Sequence, residues 1–350
     1  MAWLLVVILA LVVVAMYPVV RDFLRKRRVT VPAYVEGLQA ALDGRTGEAI
    51  VKLKDAVAAD TGNVDAYIRL GDLYMQKGEA ERAIKIHENL ALRRNMDKRD
   101  ERKVLLALVR DYMGADRKVK AASLLEELVA SDKDDAASME KLAELHIETG
   151  SWDKCESLLA ELAKNQANRQ RAARLYTEFG RACSKTNPAA ALASFNTALK
   201  LDPSSVRARL YLGDHQVAQS DTPAAIKTWN ELLDSAPKQN ALVRERLERA
   251  YFDTGRFEDI VRLYEKLLRK VPDDAGLAVA LAGIYQKKED LGSAIRQLEK
   301  FADRKGDVRA RVALAGLYLD RGDAALARST LNEVLDSLRS EATADSQPTA

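Results

Sequence analysis

Residues 63–90 read NVDAYIRLGDLYMQKGEAERAIKIHENL, and this stretch constrains the fold more than any other. Two segments of helical apolar periodicity flank a short turn at Gln76–Gly78. Tyr67, Leu70, Gly71 and Tyr74 share one face of the first; Ala83, Ile84, His87 and Leu90 share one face of the second. Gly71 and Ala83 carry little or no side chain. That predicts two helices crossing closely there, with Tyr67, Leu70 and Tyr74 filling the space beside the contact. The pattern then recurs along the chain. Positions equivalent to Ala83 are Ala49, Ala121, Cys155, Ala191, Ala225, Ile260, Ala294 and Ala327, with steps of 34, 38, 34, 36, 34, 35, 34 and 33 residues. The aromatic of the first helix recurs as Tyr74, Tyr112, Tyr251, Tyr285 and Tyr318. Pro203, Pro237 and Pro272 close second helices, because a ring without an N–H does not continue one.

A large apolar residue, a glycine and then a small residue one helix later, at this period, resembles the tetratricopeptide repeat. One such unit cannot bury its apolar faces alone and must stack on copies of itself. The expected fold is all-α: a superhelical solenoid of about nine helix-turn-helix repeats over residues 33–338, behind one N-terminal transmembrane helix.

That helix is expected at residues 1–20, where Ala2 to Val20 carries no charge. Nineteen helical residues span roughly 28 Å, close to a hydrocarbon core of about 30 Å. Trp3 and Tyr17 stand near its ends, where amphipathic rings prefer the interface. A cleaved signal peptide would place its positive charge first; here Arg21, Arg25, Lys26, Arg27 and Arg28 follow the apolar run. The expectation is therefore an uncleaved single-pass anchor. Residues 21–32 form a basic juxtamembrane linker facing the cytoplasm by the positive-inside rule, as would the repeats. The same cluster can touch anionic head groups.

Three local features depart from the period. Residues 93–100 (RRNMDKRD) hold the extra residues of the 38-residue step and read as an exposed charged loop. In the fifth repeat Gly180 falls one position late and Asn187–Pro188 is expected to break the turn. Residues 339–350, mostly small and polar, read as a disordered tail.

Lys plus Arg number 55 against 52 Asp plus Glu, so the chain is not an electrostatic nucleic-acid binder overall. Cys155 and Cys183 stand far apart, which is neither a disulfide framework nor a metal knuckle. There is no phosphate loop, no HExxH and no nucleophile elbow, so neither an enzyme nor a cofactor is expected. His87, His146 and His215 lie in separate repeats, and the first two stand where packing residues belong. The expected binding surface is the groove lined by the first helices. Asp72, Arg110, Glu144, Asp214 and Arg249 hold corresponding places there. No Asn stands at the positions that a carboxylate-gripping repeat uses.

An apolar N-terminal stretch followed at once by such repeats resembles the lipopolysaccharide assembly protein B family (LapB, also called YciM). Local strings share the likeness. They are Tyr34–Val35 with Gly37, Asp60–Thr61–Gly62, Leu70–Gly71, Gly78–Glu79, Arg82–Ala83–Ile84–Lys85–Ile86–His87 and Arg110–Asp111–Tyr112–Met113. The likeness is densest over residues 1–130. It implies a non-enzymatic adaptor of the bacterial inner membrane that helps the membrane protease FtsH degrade the deacetylase committing the cell to lipid A synthesis. Members of that family end in a rubredoxin-like zinc module with two CxxC knuckles, and this chain has only Cys155 and Cys183. The resemblance is thus to the repeat part alone, and a scaffold for another cell-envelope complex remains the alternative.

Overall fold

The computed structural model describes residues 16–17, 32–94, 96–305 and 307–344. The apolar stretch, apart from Met16 and Tyr17, and the basic flank Arg21–Arg28 lie outside them. Among the described residues no helix is long and apolar enough to cross a membrane.

Those residues form eighteen α-helices, α1 to α18, pairing as nine antiparallel hairpins. They pack as two compact units, Met1–Asn168 and Arg169–Ala350. The first holds α1 (32–42), α2 (Thr46–Ala59), α3 (Val64–Gln76), α4 (Ala80–Ala91), α5 (Lys98–Gly114), α6 (Lys118–Ser131), α7 (Ala136–Thr149) and α8 (Trp152–Lys164). The second holds α9 (Arg169–Cys183), α10 (Pro188–Leu201), α11 (Val206–Ala218), α12 (Thr222–Ser235) and α13 (Arg244–Asp253). It continues with α14 (Phe257–Lys270), α15 (Ala275–Lys287), α16 (Leu291–Lys305), α17 (Val308–Arg321) and α18 (Ala324–Ala344).

Local chemistry sets the helix ends. Asn63, Asp97, Asp135, Ser205, Asp274 and Asp307 each cap a first helix by accepting a backbone N–H. The hairpin turn needs one left-handed residue, which Gly78 supplies at φ +77° without a Cβ penalty. The charged insert is shorter than the sequence predicts. Asp97 accepts from the Asp100 N–H, so Lys98–Asp100 already form the first turn of α5. Asn187–Pro188 does not break its turn: Asn187 caps α10 and Pro188 occupies its first turn, where no N–H is needed. At the other end α18 runs past Leu338 to Ala344, since neither Gly nor Pro stands in Ser340–Ala344 to stop it.

The small positions of the second helices are buried as the spacing requires, with Ala49, Ala83, Ala121, Cys155, Ala191, Ala225, Ile260 and Ala294 at 0% exposure. What the glycines accommodate differs from the expectation. A Cβ on Gly71 would lie 2.3 Å from ring atoms of His87; on Gly213, 2.1 Å from Trp229 Nε1; on Gly180, 2.9 Å from the Phe195 ring. The glycine admits a knob from the second helix, four residues past the small position, rather than the backbone of that helix.

A second regularity joins each hairpin to the next. Five residues past the small position, a polar side chain meets the aromatic of the following first helix. Tyr112 donates to Glu88 (2.5 Å), Tyr285 to Glu265 (3.0 Å) and Tyr318 to Glu299 (2.7 Å). Asn230 donates to the Tyr251 hydroxyl at 2.9 Å, and His146 stands 4.0 Å from Glu126. Apolar packing tolerates small slips along a stack, whereas a hydrogen bond of fixed length does not, so this ladder sets register.

Burial, and then the Glu partner, push the Tyr112 and Tyr285 phenols up to about 12 from the ordinary 10.0. A raised folded-state pKa contributes stability that is complete below pH 10.0 and lost as pH rises through about 12. Alkaline unfolding is therefore expected to follow phenolate formation measured by ultraviolet absorbance. Tyr285→Phe should lose part of that dependence, and an unchanged alkaline profile would contradict the ladder.

Candidate functional site

In the first unit a recess of about 590 Å³ opens between the first helices α3 and α5. Asp72 and Arg110, which the sequence places at corresponding positions, line it and pair at 3.0 Å. Lys103 holds Asp100 at 2.5 Å, and Arg69 stands 3.8 Å from Asp65. Acceptors and donors thus alternate along the wall, an arrangement suited to a polar partner surface and not to a single strong charge.

Asp111 also lines the recess and is buried, at 1% exposure. Its Oδ2 lies 2.6 Å from Nδ1 of His87, itself 0% exposed. Nε2 of His87 is 3.2 Å from the Ile68 carbonyl. A carbonyl and a carboxylate both accept, so both ring nitrogens are satisfied when the ring is imidazolium. This buried His–Asp hydrogen bond joins α4 to α5 across the insert. The sequence reading missed it. Its signal was present in the columns: the place of Asp111 is Leu73, Leu145, Ile284 or Leu317 in other repeats.

Glu144 is exposed on α7. In the second unit Asp214 and Arg249 line one recess of about 360 Å³, but they are not each other's partner. Arg246 takes both oxygens of Asp214, at 2.6 and 3.1 Å. That fork holds the guanidinium of Arg246 above its ordinary pKa. The sequence reading chose Arg249 by column and overlooked Arg246, which is one helical turn nearer. The five predicted groove residues are therefore divided between the units, three in the first and two in the second.

The remaining histidines are packing residues. His146 is 4% exposed, and burial lowers its pKa. His215 is equally buried and likewise lowered; its Nδ1 is 2.7 Å from the Ser184 hydroxyl. Cys155 and Cys183 are buried thiols that donate to the Ala143 and Gly180 carbonyls. Among the described residues no group of three or more His, Cys, Asp or Glu could hold a metal ion.

Family models described as tetratricopeptide repeat match residues 40–99 and 112–179, 184–240 and 279–342, and 244–278. The chain belongs to the tetratricopeptide repeat family. Among curated proteins this repeat chain is similar to lipopolysaccharide assembly protein B of Escherichia coli (strain K12). The two are 22% identical over 308 residues, 87% of this chain and 78% of that protein. The protein of the same name from Haemophilus influenzae is 22% identical over 282 residues, 78% of this chain and 71% of its own length. Solved structures with some likeness include MamA 41-end from Desulfovibrio magneticus RS-1, 14% identical with a TM-score of 0.39 over 51% of this chain and 98% of that one. Another is Naa15/Naa10 bound to HypK-THB, 15% identical with a TM-score of 0.43 over 92% of this chain and 62% of that one.

Proposed function

We propose that this repeat protein is a non-enzymatic adaptor in lipopolysaccharide assembly, held at the bacterial inner membrane by residues 1–20 with its repeats in the cytoplasm. The observation that carries the reading is the similarity to lipopolysaccharide assembly protein B over 87% of the chain. The uncharged stretch Ala2–Val20, followed by Arg21, Arg25, Lys26, Arg27 and Arg28, supports the tether and its orientation. Tethering puts adaptor and partners in one plane and raises their effective concentration. By the resemblance, the partners are the FtsH protease and the lipid A deacetylase. The polar recesses at Asp72–Arg110 and at Asp214–Arg249, with Glu144 on α7, are the surfaces offered to them.

The test is the half-life of the lipid A deacetylase in cells depleted of this chain. It should lengthen on depletion and return with the intact chain. A chain lacking residues 1–28 should not restore it at normal expression. An unchanged half-life on depletion would remove the reading and leave the scaffold of another envelope complex in its place.

A further inference from the structure

The insert between α4 and α5 shapes a second hollow in the first unit, on the face of α5 opposite the Asp72–Arg110 recess. Lys103, Leu106 and Arg110 line one recess; Glu101, Leu105, Leu108 and Tyr112 line the other. At about 100° per residue those two sets lie on opposite sides of the helix. The second hollow encloses about 590 Å³ among α4, α5 and α6. Ala91 helps to create it. The same column holds Val57, Val129, Leu233 and Leu268 in four other repeats, where the longer side chain is packed in the core, and alanine again at Ala163 and Ala302.

The walls are apolar. Leu92, the last residue before the insert, is 80% exposed, and Met96, Leu105 and Leu124 are half-buried beside it. The rim is acidic. Glu88, Glu101 and Glu127 line it, and among the described residues neither Glu101 nor Glu127 has a partner. Arg93 lines it too, but its guanidinium stacks on the Tyr67 ring at 4.3 Å and donates to the Thr61 carbonyl. Lys120 sits over the Tyr112 ring without lining the hollow, and Arg94, Lys98 and Arg99 do not line it either. An exposed leucine over an apolar hollow edged by the carboxylates of Glu101 and Glu127 complements one kind of occupant.

We propose that this hollow docks a partner segment presenting a large apolar side chain flanked by lysine or arginine. The apolar residue enters between Leu92, Leu105 and Leu124, and its basic neighbours pair with Glu101 and Glu127. The surface is separate from the groove between first helices, so one chain can hold two partners at once.

The probe is a fluorescein-labelled peptide with a central Leu-Phe pair and lysines on both sides, titrated with the full-length chain and read by fluorescence anisotropy. Saturable binding is expected, at least about tenfold tighter than for the same peptide with glutamates replacing the lysines. Glu101→Gln with Glu127→Gln should weaken binding about fivefold, as two exposed ion pairs would. Leu92→Asn should also weaken it, and being at a surface leucine it leaves the fold intact. A photo-crosslinker at the peptide's Phe should label α4, α5 or α6 around the hollow. Equal binding of both peptides would overturn the proposal. So would an equal loss from neutralising Glu156 and Glu161 elsewhere in the unit, or crosslinks that map to the Asp72–Arg110 recess.

Discussion

Gly213→Ala is expected to destabilise the second unit by about 1–3 kcal/mol or more, and Trp229→Leu in the same chain is expected to recover most of that loss. The added Cβ would stand 2.1 Å from Trp229 Nε1 and 2.5 Å from Cε2, inside any allowed contact. The indole cannot retreat easily. It is 2% exposed, and its N–H donates to the Leu210 carbonyl at 3.3 Å. Other repeats of the same chain show the compensated solution. Where the first-helix residue is alanine, as at Ala143 and Ala282, the knob in the second helix is Leu159 or Leu298. Three large knobs face glycine, Trp229 at Gly213, Phe195 at Gly180 and His87 at Gly71, whereas Tyr264 faces Glu248 and donates its hydroxyl to that side chain at 3.2 Å. Denaturation of the four chains of a double-mutant cycle measures the coupling. Hydrogen exchange should show the Gly213→Ala damage confined to the hairpins next to α11 and α12, because each repeat touches only its neighbours. Additive losses in the double variant would mean that the glycine serves something other than the knob.

That pairing also explains what was legible in the sequence. The period, the buried small positions and the helix type are one-dimensional signals, and a single repeat displays them. The knob is four residues beyond the small position, and its size makes sense only beside the residue it meets sixteen positions earlier. Reading one repeat therefore found Gly71 and His87 as separate packing positions and assigned the glycine to close helix crossing; comparing columns would have paired the two. Boundaries failed for a related reason. Asp97 and Asn187 look like loop residues in a polar run, and only the N–H groups they accept from reveal them as caps. For the groove, the columns grouped Asp72 with Arg110, and these two side chains pair at 3.0 Å. The columns could not show that the fork on Asp214 comes from Arg246, because partner choice depends on side-chain reach and not on register.

Asp111→Ala is expected to cost the first unit about 3–5 kcal/mol, while Asp111→Leu combined with His87→Leu should be neutral or stabilising. The single change leaves His87 at 0% exposure with Nδ1 facing no acceptor, an uncompensated buried donor or charge. The double change removes both buried polar groups and the cost of taking them out of water. It also gives this repeat junction the residues the chain uses elsewhere: leucine knobs at Leu53, Leu125, Leu159 and Leu298, and leucine in the Asp111 column at Leu73, Leu145 and Leu317. The evolved pair is thus not needed for stability as such. It sits where the step between repeats is longest, 38 residues, and where α5 carries a recess on each side. A leucine pair would hold α4 to α5 without fixing how one slides along the other. The His87 ring fixes it through one directed bond to Asp111 on α5, while its other nitrogen is held by the Ile68 carbonyl on α3. The stable double variant should therefore show faster hydrogen exchange at the start of α5 than the native chain despite equal or higher global stability. If it is as unstable as Asp111→Ala, the leucines do not repack and the column argument fails. If exchange is unchanged, the pair carries no registering role.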